Sequence, residues 1–471
     1  MKIKSYSTSL VFSILVSIND ANIIDLIQKN NLEFRQLQNK SNQSELIYET
    51  TNLIYKPYIT GDISSEKDDT DTAISNLKID QIRKKYTAIL GKNFLTGTAL
   101  TLEATRLDYQ SGLIPTSLST NFNQNYLALN LQQSIYPNFF GSIDRSKVNI
   151  NYSQMQKEQI QLKLDQIDLI KNKLANYWKL KILEIQIQKN RELISKYEIL
   201  YQKVKQKNKN GLSNPGEAEQ TEAELIQRKQ NLSDDFSNSH ILRQQLRQDL
   251  ALSPDQDFKI ETETLLDINQ LNRNQIDKKI NPKIIKIENT LMFQLQSTKT
   301  VNARNAYDAA LNSNLPEISL YGRYTQQGLD ASQAESMDEF NRADKNKYLI
   351  GLKVNYYFGS NINELNYKIR KQEFDSESTN TIKVHNDLKN YFQNLAEKIN
   401  VATDNKLASL QILELRSQIT KKILKSYNQG RTDISVLIDA YGKGALAEVN
   451  MVTAFGQYNQ LVYEYQANAE Y

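Results

Sequence analysis

The sequence predicts a mainly α-helical chain with a membrane β-barrel part, internally duplicated, and three observations carry that prediction. Breakers are scarce: 15 glycines and 7 prolines in 471 residues, well below the usual ~7% and ~5%, so its elements run long. Helical punctuation found in the first half of the chain recurs in the second. Between the helical stretches the apolar period switches from that of a helix to that of a strand.

The helices come first. Ile167, Ile170, Leu174 and Tyr177 step by three and four, as do Leu193, Tyr197, Leu200 and Val204, and Phe455, Tyr458, Val462 and Tyr465. Such steps are coiled-coil seams. The run from Ser142 to Gly211 predicts a rod of roughly 105 Å at ~1.5 Å per residue, which needs neighbours along its whole length.

The duplication follows from spacing. Leu174-Ala175-Asn176-Tyr177-Trp178 is answered by Leu388-Lys389-Asn390-Tyr391-Phe392, and Gly211 after its helical run is answered by Gly430. Upstream, a polar helical run ends at Pro57 in the first half and at Pro316 in the second. Proline ends a helix because it lacks the amide donor and disfavours helical geometry in the residue before it. These correspondences divide the chain into a first repeat over residues 22–254 and a second over 255–471. The first repeat carries about 45 extra residues between its proline and its long helix, placing an insertion in the strand region.

Strand-like segments alternate. Ile350, Leu352, Val354, Tyr356 and Phe358 form one series, Leu127, Leu129 and Leu131 another; Ile318, Leu320 and Tyr324 follow Pro316, and Leu100, Leu102 and Ala104 follow the turn at Thr96-Gly97-Thr98. Each has one apolar face, as in a membrane barrel or a soluble sheet with a buried side. Aromatics gather at strand ends, at Tyr356-Tyr357-Phe358 and at Tyr136 with Phe139-Phe140, where a barrel sets its interfacial girdle. The insertion either adds a hairpin, giving six strands per chain instead of four, or lengthens a surface loop between Ser65 and Lys84.

Composition narrows the function classes. The formal charge of +4, from 58 basic and 54 acidic residues, gives no footprint of a nucleic-acid binder. Without cysteine there is no disulfide, thiolate nucleophile or zinc-thiolate site. The two histidines, His240 and His385, have no metal or catalytic partner at a usable spacing, so no catalytic residue, metal or cofactor is expected. Met1-Lys2-Ile3-Lys4 before the apolar run Leu10 to Ile18 predicts a secretory signal over residues 1–21. The chain has 26 tyrosines, and together with the signal-like start they favour the membrane reading of the alternating segments.

The duplicated order of helix, proline, strands, long helix and glycine turn resembles the outer-membrane efflux (TolC-like) family. The segment Tyr427-Asn428-Gln429-Gly430-Arg431-Thr432-Asp433-Ile434-Ser435-Val436-Leu437-Ile438-Asp439-Ala440 carries the rest of the likeness. The resemblance implies a homotrimer, each chain giving strands to one shared outer-membrane β-barrel and helices to one periplasmic tunnel; four strands from each of three chains would make twelve. It implies a passive duct of a tripartite efflux or type I secretion system. Its partners would be a periplasmic adaptor (membrane fusion) protein, an inner-membrane transporter and outer-membrane lipid. It places Gly211 and Gly430 at the periplasmic tip, with Arg431, Asp433, Asp439 and Glu217 as aperture candidates. Val436 stands where the family has the first of two paired acids, a departure. The alternative from the residues alone is a non-channel coiled-coil scaffold of the cell envelope.

Overall fold

A computed structural model describes residues 16–68, 78–114, 120–211, 215–253, 256–261, 285–313, 315–356 and 361–469. In chain order the elements are β1 (Val16–Ile18), α1 (Ile23–Asn30), α2 (Leu32–Thr51), β2 (Tyr58–Asp68), β3 (Lys78–Asn93), β4 (Thr98–Ile114), β5 (Thr120–Tyr136), α3 (Ser142–Lys209) and α4 (Glu217–Asp249). There follow β6 (Phe258–Ile260), α5 (Leu291–Ser313), β7 (Glu317–Asp330), α6 (Gln333–Arg342), β8 (Asn346–Asn355), α7 (Asn361–Asn428) and α8 (Ile434–Ala469). Helix, strands, long helix and returning helix thus occur twice, and α3 and α7 are both 68 residues long. Tyr357 and Phe358, read as a strand end, and Pro254, read as the repeat boundary, lie outside the described residues.

The chain packs as two compact units, each assembled from both halves: residues 1–42, 160–295 and 383–471 form one, residues 43–159 and 296–382 the other. In the first, the heptad positions read from the sequence become core. Ile170, Leu174, Tyr177 and Trp178 of α3 are buried with Met451, Val452 and Phe455 of α8. Ile18, Ile23 and Ile27 join the same cluster, because β1 pairs in parallel with β6, Val16 opposite Phe258 and Ile18 opposite Ile260. Lys181, fully buried, brings its Nζ within 2.6 Å of Asp20 Oδ1. The Tyr177 hydroxyl donates to the same oxygen at 2.6 Å. Residues 1–15 of the expected leader lie outside the described residues, whereas residues 16–20 contribute β1 and an ion pair to this core.

The second unit holds one antiparallel sheet of six strands in the order β2-β3-β4-β5-β7-β8. The insertion in the first half is therefore a paired hairpin: β2 lies along β3 from Tyr58–Gly91 to Asp68–Gln81. The surface-loop reading of Ser65 to Lys84 is corrected accordingly, since strand pairing extends to Asp68 and resumes at Lys78; residues 69–77 lie outside the described residues. The β3–β4 turn runs through Gly97, whose φ of +75° is open to glycine at little cost. Between β7 and β8, α6 begins at Ser332, whose Oγ accepts from the Glu335 amide at 3.2 Å, an N-cap that satisfies an orphan donor. It seats against Gly328, where an added Cβ would meet the Ser336 carbonyl oxygen at 2.0 Å.

Candidate functional site

Register assigns the two faces of the sheet. Ile59, Leu90, Leu102, Leu129, Tyr324 and Tyr348 fall in one hydrogen-bonded row, and Leu100, Leu131, Gly322 and Ile350 in the next. These positions share a face; Tyr324 is half-buried, while the other large apolar side chains are exposed, Ile59 at 78% and Ile350 at 80%, as is Ile63 of the same face at 81%. Water-exposed apolar patches of this extent mark an interaction surface. On β5 the same-face series Leu127, Leu129 and Leu131 continues past Gln133 and a bulge to Tyr136, ten residues or about 33 Å along the strand. At the strand ends nearest the helices stand exposed Tyr58, Phe94, Tyr136, Phe139, Phe140 and Tyr356, the girdle expected at a membrane boundary.

The opposite face is polar and internally bonded. Arg323 Nη2 lies 3.3 Å from Glu103 Oε2, and the Tyr126 hydroxyl donates to Glu103 Oε1 at 2.8 Å. Asn130 donates to Thr101 at 3.1 Å, and Thr87 and Thr105 share a hydrogen bond of the same length. None of these was singled out from the sequence. The usable signal was period two: Thr87, Thr101, Glu103 and Asn130 each stand between apolar or aromatic positions, and in a strand such neighbours point to the other face.

The predicted breaks stand at helix-to-strand transitions. Pro57 lies between a one-turn helix, Leu53–Tyr55, and β2; Pro316 lies between α5 and β7.

The glycine turns close α3 and α7. Gly211 has φ +69° and Gly430 φ +68°. Nothing lies within 4 Å of a Cβ added at either, so backbone conformation rather than space favours glycine. At Gly430 the Gly430 amide donates to the Tyr427 carbonyl and the Arg431 amide to that of Ser426, both at 3.0 Å, the paired bonds of a Schellman cap. Behind the turns Tyr197, Leu200, Val204, Leu225, Tyr427, Leu437 and Ile438 form one buried cluster, so the tips of the two halves pack together. Glu217 opens α4 beside Tyr427, whose phenol is pushed up in pKa by burial and then by the Glu217 carboxylate. Lys207 Nζ stands 5.3 Å from the Tyr427 ring centre.

Arg431 and Asp433 are exposed just before α8, and exposed Asp439 on its second turn pairs with Lys443 at 2.8 Å. Lys443 was missed, although its i,i+4 spacing was visible in the sequence. The four charged candidates therefore lie at the starts of α4 and α8 beside the two glycine turns, with Asp439 partly neutralised by Lys443.

Solved structures with the same fold include outer membrane channels. CusC, described in connection with transmembrane channel formation, aligns over 98% of this chain and 95% of its own, with a TM-score of 0.66 at 13% identity. The CmeC outer membrane channel of Campylobacter jejuni aligns over 95% and 84%, TM-score 0.62, 13% identity. The MtrE outer membrane channel of Neisseria gonorrhoeae, in its open state, aligns over 95% and 88%, TM-score 0.60, 13% identity. The chain has the TolC-like fold. No protein-family model and no curated protein matches the sequence. The TolC-like fold accounts for both the long helices and the six-stranded sheet, at an identity of 13% or less to the solved structures.

Proposed function

We propose that this chain is the outer-membrane channel component of a tripartite efflux or type I secretion system, a passive duct with its sheet in the outer membrane and a large periplasmic part. The observation that carries this reading is the exposed apolar face of the six-stranded sheet, backed by a polar, hydrogen-bonded face. In hydrocarbon every backbone amide and carbonyl needs a partner, so an open sheet is viable only when closed into a barrel. Six strands with two free edges cannot close alone around a wide lumen. A homotrimer supplies the remaining wall, and outer-membrane lipid covers the apolar face.

The two repeats, 22–254 and 255–471, act as equivalent wall segments. The glycine tips at Gly211 and Gly430 form the periplasmic aperture, with Glu217, Arg431, Asp433 and Asp439 biasing its charge. A periplasmic adaptor and an inner-membrane transporter complete the pathway, and the energy for export comes from that transporter. In this reading the duct itself performs no chemistry.

Membrane fractionation with detergent extraction tests the reading. The expected result is an outer-membrane protein that migrates as a heat-modifiable trimer and has both helix and strand in its circular dichroism spectrum. A water-soluble monomer sinks it and leaves the coiled-coil scaffold as the better description.

A further inference from the structure

The sheet carries its own instructions for closure, and they call for a wider ring than four strands per copy would give. Six strands alternate in direction, so the two edge strands, β2 and β8, run antiparallel to each other. An edge-to-edge contact between copies therefore continues the same antiparallel ladder without interruption. The contact is head-to-tail, the kind that closes a ring when the rotation permits.

The stagger of the strands fixes where the edges meet. One hydrogen-bonded row passes from Tyr58 through Gly91, Thr101, Asn130 and Arg323 to Leu349. Yet β8 continues six residues past Leu349, to Asn355. Full overlap of the two edges requires the next copy to be displaced by those six residues, which sets Asn355 opposite Tyr58 of the next copy. The displacement is even, so apolar positions meet apolar positions. Ile350 then faces Ile63 and Val354 faces Ile59, side chains among the most exposed of the sheet. On the polar face Lys347 faces Glu66, and Lys353 lies diagonal to Asp62, so a basic edge meets an acidic one.

We propose that three copies close an eighteen-stranded barrel, β8 of each copy pairing with β2 of the next in this register. This rests on the trimeric channel reading and adds the seam and the strand number to it. A stagger of six per copy gives a shear number equal to the strand number, hence a tilt of about 35° at ~3.3 Å per residue and ~4.8 Å between strands. That tilt falls within the usual ~35–45° range of membrane barrels. The backbone ring is about 34 Å across, against about 23 Å for twelve strands at the same tilt.

The chain has no cysteine, so the seam can be tested by disulfide formation in membranes. Two double variants cover the two faces: Ile63→Cys with Ile350→Cys, and Thr60→Cys with Lys353→Cys. Oxidation is expected to give dimer and trimer bands, with nothing larger, from at least one pair, because a closed ring ends at three. Ala104→Cys with Ile350→Cys is the control for a twelve-stranded barrel of the same tilt, in which β8 meets β4 with a stagger of four per copy and the β2–β3 hairpin stands outside. If that control cross-links between copies and the β2–β8 pairs do not, the eighteen-strand closure is wrong while the channel survives. A trimer in which no pair cross-links overturns the seam alone. A detergent-extracted monomer overturns the channel reading and this inference together.

Discussion

The indole of Trp178 packs against Gly456, so close that a Cβ added to the glycine would stand 2.9 Å from Cε3 and 3.1 Å from Cδ2 of the ring. Both belong to the helical unit, α3 contributing the tryptophan and α8 the glycine. The missing side chain is what permits the two helices to approach at this level. Gly456→Leu would force the indole out of place and is expected to cost about 1–3 kcal/mol by overpacking. As Trp178 is the single tryptophan of the chain, its fluorescence during denaturant unfolding reports the loss directly; an unchanged midpoint would show that the contact carries no constraint.

Lys181 and Asp20 make a second testable pair. Burial pulls the lysine down in pKa, and the Asp20 carboxylate opposes that pull. Removing the acid leaves an enclosed ammonium without its counter-ion. Asp20→Asn is expected to destabilise the helical unit by about 3 kcal/mol, the low end of the range for breaking a buried pair, because a third of the Asp20 side chain faces water. Asp20→Asn with Lys181→Met should recover most of the loss. Thermal melts of the four members of the cycle decide, and additivity of the two changes would refute the coupling.

Alkaline pH should unfold the helical unit through its tyrosines. Burial pushes the Tyr197 phenol up to about 12, and Tyr391 and Tyr177 are raised for the same leading reason. The native state therefore holds protons that the unfolded chain releases near pH ~10. The stability they contribute is complete below pH ~10 and is lost as pH rises toward the native values. Tyrosinate absorbance should climb in two phases, the later one coinciding with loss of helical circular dichroism. A single phase at the pH of free tyrosine would contradict this.

At the tip, Lys443 offsets Asp439 across one helical turn. Lys443→Ala is expected to increase the cation preference of the channel in planar bilayers, while Asp433→Ala with Asp439→Ala reduces it. The changes should shrink at high salt, since exposed charges are screened beyond ~10 Å at 0.1 M. Selectivity that ignores all three substitutions would remove these residues from the constriction.

Elements dominated by near neighbours were legible in the sequence. The helix expected from Ser142 to Gly211 spans Ser142–Lys209, because a sustained three-four apolar step leaves a long chain little else to form. The alternation after Pro316 and around Leu352 gave β7 and β8 in the same way. Partners far apart in sequence were not legible. Glu103 and Arg323 are 220 residues apart, and nothing local to either predicts that their strands share a sheet with β5 between them. Lys181 fits the polar surface of a helix until the fold brings Asp20 and its apolar neighbours around it.

What the sequence determined by itself was the order of the long helices, their proline and glycine breaks and the alternating strands, since helical and strand periods, prolines and glycine turns all act within a few residues. The short elements β1, β6 and α6 were not among those it determined. Only the tertiary structure decided that the inserted segment joins the sheet as β2 and β3, which strands lie at its edges, and by how many residues they are staggered. Strand pairing is a contact between distant stretches whose hydrogen-bonding groups are the same in every residue. The choice of partner is therefore written in the packing of the whole unit.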